Sequence, residues 1–481
     1  MNKIAADLGS WIIFDVMRTF FTPLIYIALL TLFGCTKESL LTDPGARITT
    51  SLDTLHFDTL FTATGSFTQK FTIKNQNDQK LNISSIRLAG GNSSVFNINV
   101  NGEPGPSITN MEVGANDSIH VFVNASLPSG QQQLPFIVQD SIEINWNGNA
   151  QWVQLDAWGQ NARYIRNGII TANTSWNNEL PYVIQGALTI NENATLQINA
   201  GTRIYLHADA VMFVDGSIRV NGDSVAKDRV VFSGDRLDEP YNNFPASWPG
   251  IYLRPKSNNN LFEYAIINNA YQAIITEGQQ AGGGKKLTMN QCIINNAWDA
   301  GLLAVNSSAE LNNCLISNCG KNVQLVYGGN YSFNHCTLAS YSNIWSVHKD
   351  PVLLVSNMIK INEQVLTSPL SANFTNTIFW GDAGTVENEV VAIKEGDASY
   401  FVSFSDGLWK MVVIPSYITV LNMINTDPQF LNNSGIEYAY DFRLADGSPA
   451  IDKGSNSSLI VDLDGKNRKN GQPDLGAYEK Q

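Results

Sequence analysis

A segment from Met289 to Ser340 repeats every 22 residues, and this repeat constrains the fold more than any other feature of the chain. Apolar and polar residues alternate with a period of two inside each copy, which predicts one strand per copy. A strand that recurs at a fixed interval of about 20–50 residues indicates a solenoid. Five columns match without gaps: Met289/Leu311/Phe333, Asn290/Asn312/Asn334, Cys292/Cys314/Cys336, Ile294/Ile316/Leu338 and Asn296/Asn318/Ser340.

Among solenoids, this repeat favours a parallel β-helix. It is short and rich in Asn, it shows no helical spacing, and it lacks the Leu-x-x-Leu-x-Leu-x-x-Asn signature of leucine-rich repeats. Successive turns of chain would place equivalent residues ~4.8 Å apart, with the apolar columns inside. We expect the Asn columns to hydrogen-bond along the stack at a bend.

The three cysteines of the repeat are predicted to be buried free thiols. Neighbours in register keep their Cβ atoms nearly as far apart as their Cα atoms, beyond the ~3.5–4.5 Å that a disulfide needs. Cys292, Cys314 and Cys336 are therefore interpreted as small buried hydrophobes. Metal binding by this column lacks a CxxC motif or a His partner, so no metal site or cofactor is expected.

The repeat extends in both directions. Residues 262–269 match the columns at a 27-residue step, whereas Phe374 follows Phe333 by 41 residues, so one further coil or an excursion intervenes. The runs at Ala187–Ile190 and Ala194–Ile198 resemble the first coils of bacterial right-handed parallel β-helix proteins, the superfold shared by pectate lyases. The resemblance implies a right-handed β-helix over 165–425 and specifies fold far better than function.

The region 51–160 is predicted to be a β-sandwich. About seven short alternating runs, separated by turn-forming segments, are typical of an immunoglobulin-like architecture. The stretches Phe71–Asn75, Ile86–Gly91 and Phe96–Ile98 also resemble exported immunoglobulin-like modules of bacteria.

The N-terminal 34 residues are interpreted as a signal peptide. The apolar run Phe20–Phe33 is too short for a typical membrane span and ends beside Cys35, which resembles a bacterial lipoprotein processing site. The resemblance implies a lipid on Cys35 and an outer-membrane location, on either face. The residues after Cys35 are polar and include Pro44 and Gly45, which predicts a tether over 35–50. A start at Met17 gives a more typical signal, and an uncleaved anchor is the alternative.

The last segment, 426–481, resembles the C-terminal closing segment of exported β-helix proteins of the choice-of-anchor type. The resemblance rests on Ser448–Gly454, Asp462–Gly465 and Pro473–Glu479. Because the end of a β-helix is an open strand edge, we expect this segment to cap it. The turn at Asp462–Gly465 lacks the further ligands of an EF-hand.

One long loop and the strand after it concentrate charge and aromatic rings. On a rigid solenoid such loops carry binding residues, so this region is the predicted carbohydrate site. Trp248 plugging a coil edge and Arg236 pairing with a neighbouring Asp form the alternative. The candidate ligand-binding residues are Asp235, Arg236, Asp238, Tyr241, Trp248, Tyr252, Arg254 and Lys256.

Catalytic signatures of related folds are missing from the sequence. Neither the Gly-His-Gly of pectin hydrolases nor the Arg-x-Pro-x-x-Arg of pectate lyases occurs, and no catalytic residue is assigned. Arg254 and Lys256 form the one compact basic group beside aromatics that would suit a lyase. His335 and His348 are interpreted as isolated, with His335 pointing outward.

Three functions stay open at this point. The first is a cell-envelope lipoprotein that binds carbohydrate, or an envelope protein, without cleavage. The second is a polysaccharide lyase or hydrolase of unrecognised type, and the third is a structural stalk or adhesin. The net charge of −13 argues against nucleic acid as a partner.

Overall fold

The protein is an all-β molecule. A computed structural model describes residues 39–62, 65–128, 136–280, 282–382, 386–434, 440–468 and 471–481. Strands account for 55% of the residues and helix for 2%, so the sheets determine the architecture. No helix within these ranges is long and apolar enough to cross a membrane. The predicted signal peptide and the lipidation site Cys35 lie outside the described residues.

The chain divides into two compact units. The first consists of the residues up to His56, Gly65–Ser126 and Val138–Asp156. The second consists of Phe57–Thr64, Leu127–Ile137 and Ala157–Gln481.

The first eleven strands form two separate sheets, and a short 3-10 helix lies at Gly91–Ser93. The sheet orders are β1-β5-β10-β11-β3, with β8 beside β5, and β2-β4-β9-β6-β7. The bounds are β1 (Leu40–Leu41), β2 (Ile48–Thr50), β3 (Thr54–Phe61), β4 (Gln69–Asn75), β5 (Lys80–Leu88), β6 (Phe96–Val100), β7 (Glu103–Gly105), β8 (Ser107–Val113), β9 (Ser118–Ala125), β10 (Phe136–Trp146) and β11 (Asn149–Gln160).

Alternating residues bury one side of each of these sheets. In β4 and β9, Phe71 and Val121 are buried while their neighbours Thr72 and Phe122 are not. In β10, Ile142 and Ile144 are buried in the same alternating manner. This period of two is what a strand with one covered face requires.

The predicted tether over 35–50 is wrong for the part that the structure describes. Leu40 and Leu41 pair in parallel with β5, and β2 pairs with β4. Ile48 is buried, and the Trp146 indole donates a 2.9 Å hydrogen bond to the carbonyl of Ala46. Because this segment has apolar side chains and lies beside open strand edges, it pairs with the sheets and does not form a free linker.

Twenty-four of the later strands build one sheet, called here the parallel stack. Strands β31 (Met358–Ile361) and β32 (Gln364–Thr367) pair with each other in a hairpin, as do β38 (Phe430–Asn432) and β39 (Asp441–Leu444). Two 3-10 helices lie at Ala226–Asp228 and Tyr241–Asn243. The stack strands are β12 (Arg163–Ile170), β13 (Thr174–Trp176), β14 (Tyr182–Ile190), β15 (Thr195–Asn199), β16 (Arg203–Leu206), β17 (Val211–Val214), β18 (Ser217–Asn221), β19 (Val230–Gly234), β20 (Gly250–Leu253), β21 (Asn260–Glu263), β22 (Ala265–Asn268), β23 (Gln272–Glu277), β24 (Leu287–Asn290), β25 (Ile293–Asn295), β26 (Ala300–Asn312), β27 (Leu315–Ser317), β28 (Lys321–Asn334), β29 (Thr337–Ser340), β30 (Leu353–Ser356), β33 (Leu370–Thr375), β34 (Ile378–Gly381), β35 (Val390–Ile393), β36 (Tyr400–Trp409) and β37 (Thr419–Ile424).

Within the stack, each turn of chain contributes to three parallel ladders in a fixed order. Ladder A contains β16, β19, β22, β25, β27, β29, β34 and the end of β36. Ladder B contains β17, β20, β23, the first halves of β26 and β28, then β30 and β35. Ladder C contains β18, β21, β24, the second halves of β26 and β28, then β33, β36 and β37. This arrangement is compatible with a β-helix, and its connections are called here the AB, BC and CA corners.

The predicted register of the repeat is confirmed. Met289 pairs with Leu311 and Leu311 with Phe333, as the 22-residue step requires. The 27-residue step pairs Phe262 with Met289, and the 41-residue step pairs Phe333 directly with Phe374. The longer step is therefore an excursion from the stack, which carries the hairpin β31–β32, and it adds no further pair to ladder C.

The cysteine and asparagine columns also lie as predicted. Cys292, Cys314 and Cys336 are buried free thiols, and burial raises the pKa of the Cys314 thiol, reinforced by its two neighbours in the column. The Asn312 amide donates to Asn290 Oδ1 at 3.0 Å, one turn of chain below it. Both columns are thus continuous across adjacent turns.

Residues with positive φ form the corners. The CA corner is made by residues with φ between 47° and 53°, and the AB corner by Asn269, Asn296 and Asn318 with φ of 62°, 59° and 52°. Asn tolerates this left-handed region better than other non-glycine residues, which explains its abundance in the repeat. The CA-corner residues are Tyr264, Gln291, Asn313, His335, Asn376 and Asp406.

The C-terminal segment does not cap the stack, which corrects the prediction for 426–481. It packs along the outer side of ladder A, where its Leu463, Leu475 and Ala477 join Leu315 and Ile378 in one buried cluster. The outward residues of ladder A are apolar and need cover. In the last strand, β37, Val420 pairs with the buried Phe404 but is itself only partly buried, so this end of the core stays partly exposed.

Candidate functional site

Trp248, a central residue of the predicted site, is not available to a ligand. Its side chain is fully buried in the core of the parallel stack, and its indole donates to the carbonyl of Asn268 at 2.9 Å. The residue also bridges to Ala270 in parallel, so the chain has already rejoined the stack at this point. The expectation that Trp248 stacks on a sugar is therefore wrong.

The basic residues after β20 are occupied by acidic partners at the BC corner. Arg254 donates to Asp215 and lies 4.7 Å from the ring centre of Phe213, while Lys256 donates to Glu192. Tyr252 donates to Glu277, and partial burial together with this hydrogen bond raises its pKa to about 12. These groups stabilise the corner, and no free base stands among them.

The other four predicted residues belong to the loop 235–249 at the AB corner, the opposite end of β20. Asp235 Oδ2 lies 2.7 Å from His207 Nδ1, and burial raises the pKa of Asp235 despite that contact. Arg236 donates two 2.7 Å hydrogen bonds to the buried Asp238, and its guanidinium lies 4.0 Å from the ring centre of Tyr241. The eight predicted residues therefore do not form one site.

The loop 341–352 borders a groove at the AB corner. Its Trp345 packs against Phe244 of the loop 235–249, with 4.0 Å between the ring centres. Asn269 and Asn296 donate to the carbonyls of Asn242 and Asn243, which fixes the loop 235–249 to the corner. Trp345 is thus supported by a loop that is itself attached to the ladder.

Half-exposed aromatic rings line this groove, called here the aromatic groove. Tyr271 is 47% exposed and Trp298 is 49% exposed, and both lie among the lining residues together with Trp345. The volume of the groove is about 310 Å³, at the lower end of the size of ligand pockets. Exposed aromatic rings in a concave site supply flat apolar surface to a ligand.

A hydrogen-bonded charge pair lies beside the rings. Asp299 accepts 2.6 Å and 3.0 Å hydrogen bonds from the Gln272 amide and from Lys321 Nζ, respectively. The two charges are partly exposed, so both keep capacity for further hydrogen bonds. Rings and polar groups together match the chemistry of a sugar, which has apolar C–H faces and hydroxyl edges.

Gly320, which lines the groove, allows the backbones of two adjacent turns to approach closely. A Cβ atom there would lie 2.2 Å from the carbonyl oxygen of Trp298, which no side chain tolerates. Its amide donates to the carbonyl of Ala297 at 3.0 Å. Close backbone approach at this corner therefore excludes a side chain next to the aromatic rings.

The sequence reasoning missed Tyr271 and Trp298, although a signal was present. Asn268-Asn269-Ala270-Tyr271 and Asn295-Asn296-Ala297-Trp298 are equivalent tetrapeptides 27 residues apart. The Asn of each forms the left-handed AB corner, so the aromatic residue after Ala projects beyond the ladder. An aromatic at the same corner of consecutive turns indicates a ligand platform.

A buried His–Glu pair fixes the loop 341–352. His348 Nε2 lies 2.9 Å and 3.1 Å from the two carboxylate oxygens of Glu389, and the side chains are 1% and 0% exposed. Glu389 Oε2 also accepts from the Val352 amide, and Lys410 Nζ lies 3.9 Å from Oε1. His348 is therefore not isolated, as the sequence reasoning had it.

His335 is likewise buried, under the C-terminal segment, and does not point into solvent. The Asn376 amide donates to its Nε2 at 2.9 Å. Burial, with Arg468 nearby, lowers the pKa of His335 to about 2, so the ring is neutral. Arg468 itself donates to Asn313 and Glu479, which ties the segment to the CA corner. Across the described ranges, no cluster of three or more His, Cys, Asp or Glu is arranged to hold a metal.

No protein-family model and no curated protein matches this chain. Parts of it are similar to solved structures, among them a family 123 glycoside hydrolase from Clostridium perfringens, at 14% identity and a TM-score of 0.17 over 24% of this chain and 26% of the hydrolase. The chain therefore spans about a quarter of that enzyme.

Two further solved structures are similar over almost their whole length. One is WR4, an MSP family member of C. elegans, at 16% identity and a TM-score of 0.16 over 23% of this chain and 96% of that domain. The other is an ASH/PapD-like domain of human CEP192, at 12% identity and a TM-score of 0.17 over 27% and 97% of the two chains. At these TM-scores the likeness supports no conclusion about function.

Proposed function

We propose that this protein is a cell-envelope lipoprotein that binds carbohydrate in the aromatic groove without cleaving it. The observation that carries the proposal is the pair of half-exposed rings, Tyr271 and Trp298, beside the Asp299–Lys321 pair in one concave site. A pyranose ring would cover the aromatic faces with its C–H groups and hydrogen-bond the charge pair with its hydroxyls.

The proposal includes a finer account of the fold. The parallel stack is a right-handed β-helix, and the first two sheets form an immunoglobulin-like module. The lipid on Cys35 anchors the chain in the outer membrane. The support for this location is the apolar run Phe20–Phe33 ending beside Cys35, together with the resemblance to exported β-helix lipoproteins.

The proposal that the protein does not cleave its ligand is supported by the hydrogen bonds that already occupy the acidic and basic groups. Hydrolysis requires two carboxyl groups at a set separation across the bond, one of them free to donate or accept a proton. Asp299 is hydrogen-bonded to both Gln272 and Lys321, and Arg254 and Lys256 are held by Asp215 and Glu192. None of these groups is poised as a general base.

Glycan arrays with purified protein test the proposal, using plant, algal and host glycans. We expect binding that Trp298→Ala weakens by at least about 10-fold, the effect of losing roughly 1.4 kcal/mol of apolar contact. Phe401→Ala is the matched control, because Phe401 is 69% exposed but lies on ladder C, away from the groove.

The alternatives predict different outcomes of the same experiment. New reducing ends or unsaturated products, abolished in Arg254 or Lys256 variants, would favour a hydrolase or lyase. Absence of binding to every glycan, or equal binding by wild type and Trp298→Ala, would contradict the proposed site and favour a structural stalk or adhesin.

A further inference from the structure

A second cleft opens at the AB corner on the far side of the loop 341–352. Its volume is about 410 Å³, and Tyr341, Trp380, Asp382 and Lys410 are among its lining residues. It is called here the upper cleft. The loop contributes Tyr341 to this cleft and Trp345 to the aromatic groove, so it separates two neighbouring concave sites.

The upper cleft contains polar groups with unused hydrogen-bonding capacity. Asp382 Oδ2 accepts a 2.8 Å hydrogen bond from the Ser342 amide, whereas the buried Oδ1 has no partner within the described chain. Lys410 Nζ donates to the carbonyl of Asp382 at 2.9 Å and has further hydrogens to offer. Buried polar atoms are normally hydrogen-bonded, so this carboxylate oxygen is open to a hydrogen bond from water or from a ligand hydroxyl.

The charges of the two sites favour an uncharged ligand. In the aromatic groove Lys321 and Lys349 balance Asp299 and Asp350, and in the upper cleft Asp382 and Asp427 outnumber Lys410. The whole chain carries a net charge of −13. A uronate or sulfated chain would meet no surplus of positive charge in either site, and the field of the protein would repel it.

The two sites are aligned along the stack. Lys321 follows β27, the loop follows β29, Asp382 follows β34 and Lys410 follows β36, all on consecutive rungs of ladder A. Three rungs at ~4.8 Å place the far side of the upper cleft ~14 Å beyond Lys321. Ile344 and Val347, which are 71% and 64% exposed, lie on the loop between the two sites. They form an apolar ridge that a ligand occupying both sites would cross.

From this alignment we infer that one neutral, linear oligosaccharide occupies both the aromatic groove and the upper cleft. The inference rests on the proposed function and gives it a substrate class and a minimum length. The first units stack on Tyr271 and Trp298, the middle of the chain crosses the ridge at Ile344 and Val347, and the last units hydrogen-bond Asp382 and Lys410.

Calorimetric titration of the full mature chain with defined oligosaccharides tests the inference. The probes are cello-, laminari-, xylo- and manno-oligosaccharides from disaccharide to hexasaccharide, with oligogalacturonates as the acidic comparison. For the series that binds, we expect the affinity to rise beyond the disaccharide. Asp382→Asn is expected to weaken the hexasaccharide about 10-fold and to leave the disaccharide unchanged.

Two matched variants separate the possible failures. Asp397→Asn removes an exposed carboxylate at the BC corner and is expected to change nothing, while Trp298→Ala is expected to weaken short and long probes alike. If binding depends on Trp298 but not on chain length or Asp382, the second site is wrong and the proposed function stands. If Trp298→Ala has no effect, the proposed function itself fails. Tighter binding of oligogalacturonate would overturn the neutral class.

Discussion

Replacing Gly381 by Ala should destabilise the region that frames both clefts. A Cβ atom at this position would lie 2.2 Å from both Glu389 Oε1 and His348 Nε2, the two atoms of the buried pair. Neither side chain can turn away into solvent, since they are 1% and 0% exposed. The added methyl group must therefore separate the pair or displace the strand β34.

The magnitude follows from these two outcomes. Overpacking a well-packed core costs about 1–3 kcal/mol, and leaving a buried polar group without its hydrogen bond costs about 1–3 kcal/mol. We expect a loss of about 3 kcal/mol, the upper end of both ranges. Gly447→Ala is the control, because its Cβ would meet only the flexible end of the Gln429 side chain at 2.9 Å.

Thermal unfolding and hydrogen exchange measure the two consequences. The unfolding midpoint should fall in Gly381→Ala and stay near that of wild type in Gly447→Ala. Exchange should accelerate locally at the amides of Val352 and Leu353, which donate to Glu389, because turns of a repeat fold depend chiefly on their neighbours. Equal stability of the two variants would refute the argument that Gly381 makes room for the pair.

The other predictions concern groups buried by the repeat and by the C-terminal segment. The folded-state pKa of His335, about 2, lies below the unfolded value of 6.5, so its contribution to stability is full above pH 6.5 and is lost as pH falls toward 2. His335→Asn should therefore reduce the acid sensitivity of the free energy of unfolding by up to about 1.4 kcal/mol per pH unit, and an unchanged slope would contradict this burial. A thiol reagent should leave the native protein unlabelled and react fully only after denaturation, since burial raises the pKa of Cys314 and Cys319; rapid labelling of folded protein would show that the column is accessible.

The sequence predicted the register of the stack because the apolar columns of the repeat identify the residues that face the interior. An apolar column must face the core at every turn, so Met289, Leu311 and Phe333 fix which residues pair. The Asn columns were equally informative, because the hydrogen bond from Asn312 to Asn290 and the left-handed corners both demand Asn. Because the repeat has no gaps, it predicted which residues lie next to each other in adjacent turns.

The parts that were mispredicted depend on contacts between distant segments. His348 and Glu389 lie 41 residues apart on two excursions that match no column, so no pattern joined them. Trp248 was assigned to a loop because charged residues surround it, although its bridge to Ala270 already belongs to the stack. The C-terminal segment was expected at the open end, and only the apolar outer side of ladder A explains its true position.

The crystal structure of the protein with its tightest-binding oligosaccharide tests the central claim most directly. The account predicts an intact chain at the AB corner, with sugar rings against Tyr271 and Trp298 and hydroxyls hydrogen-bonded to Asp299 and Lys321. Sugar bound on another face of the stack, or cleaved products in the groove, would contradict it.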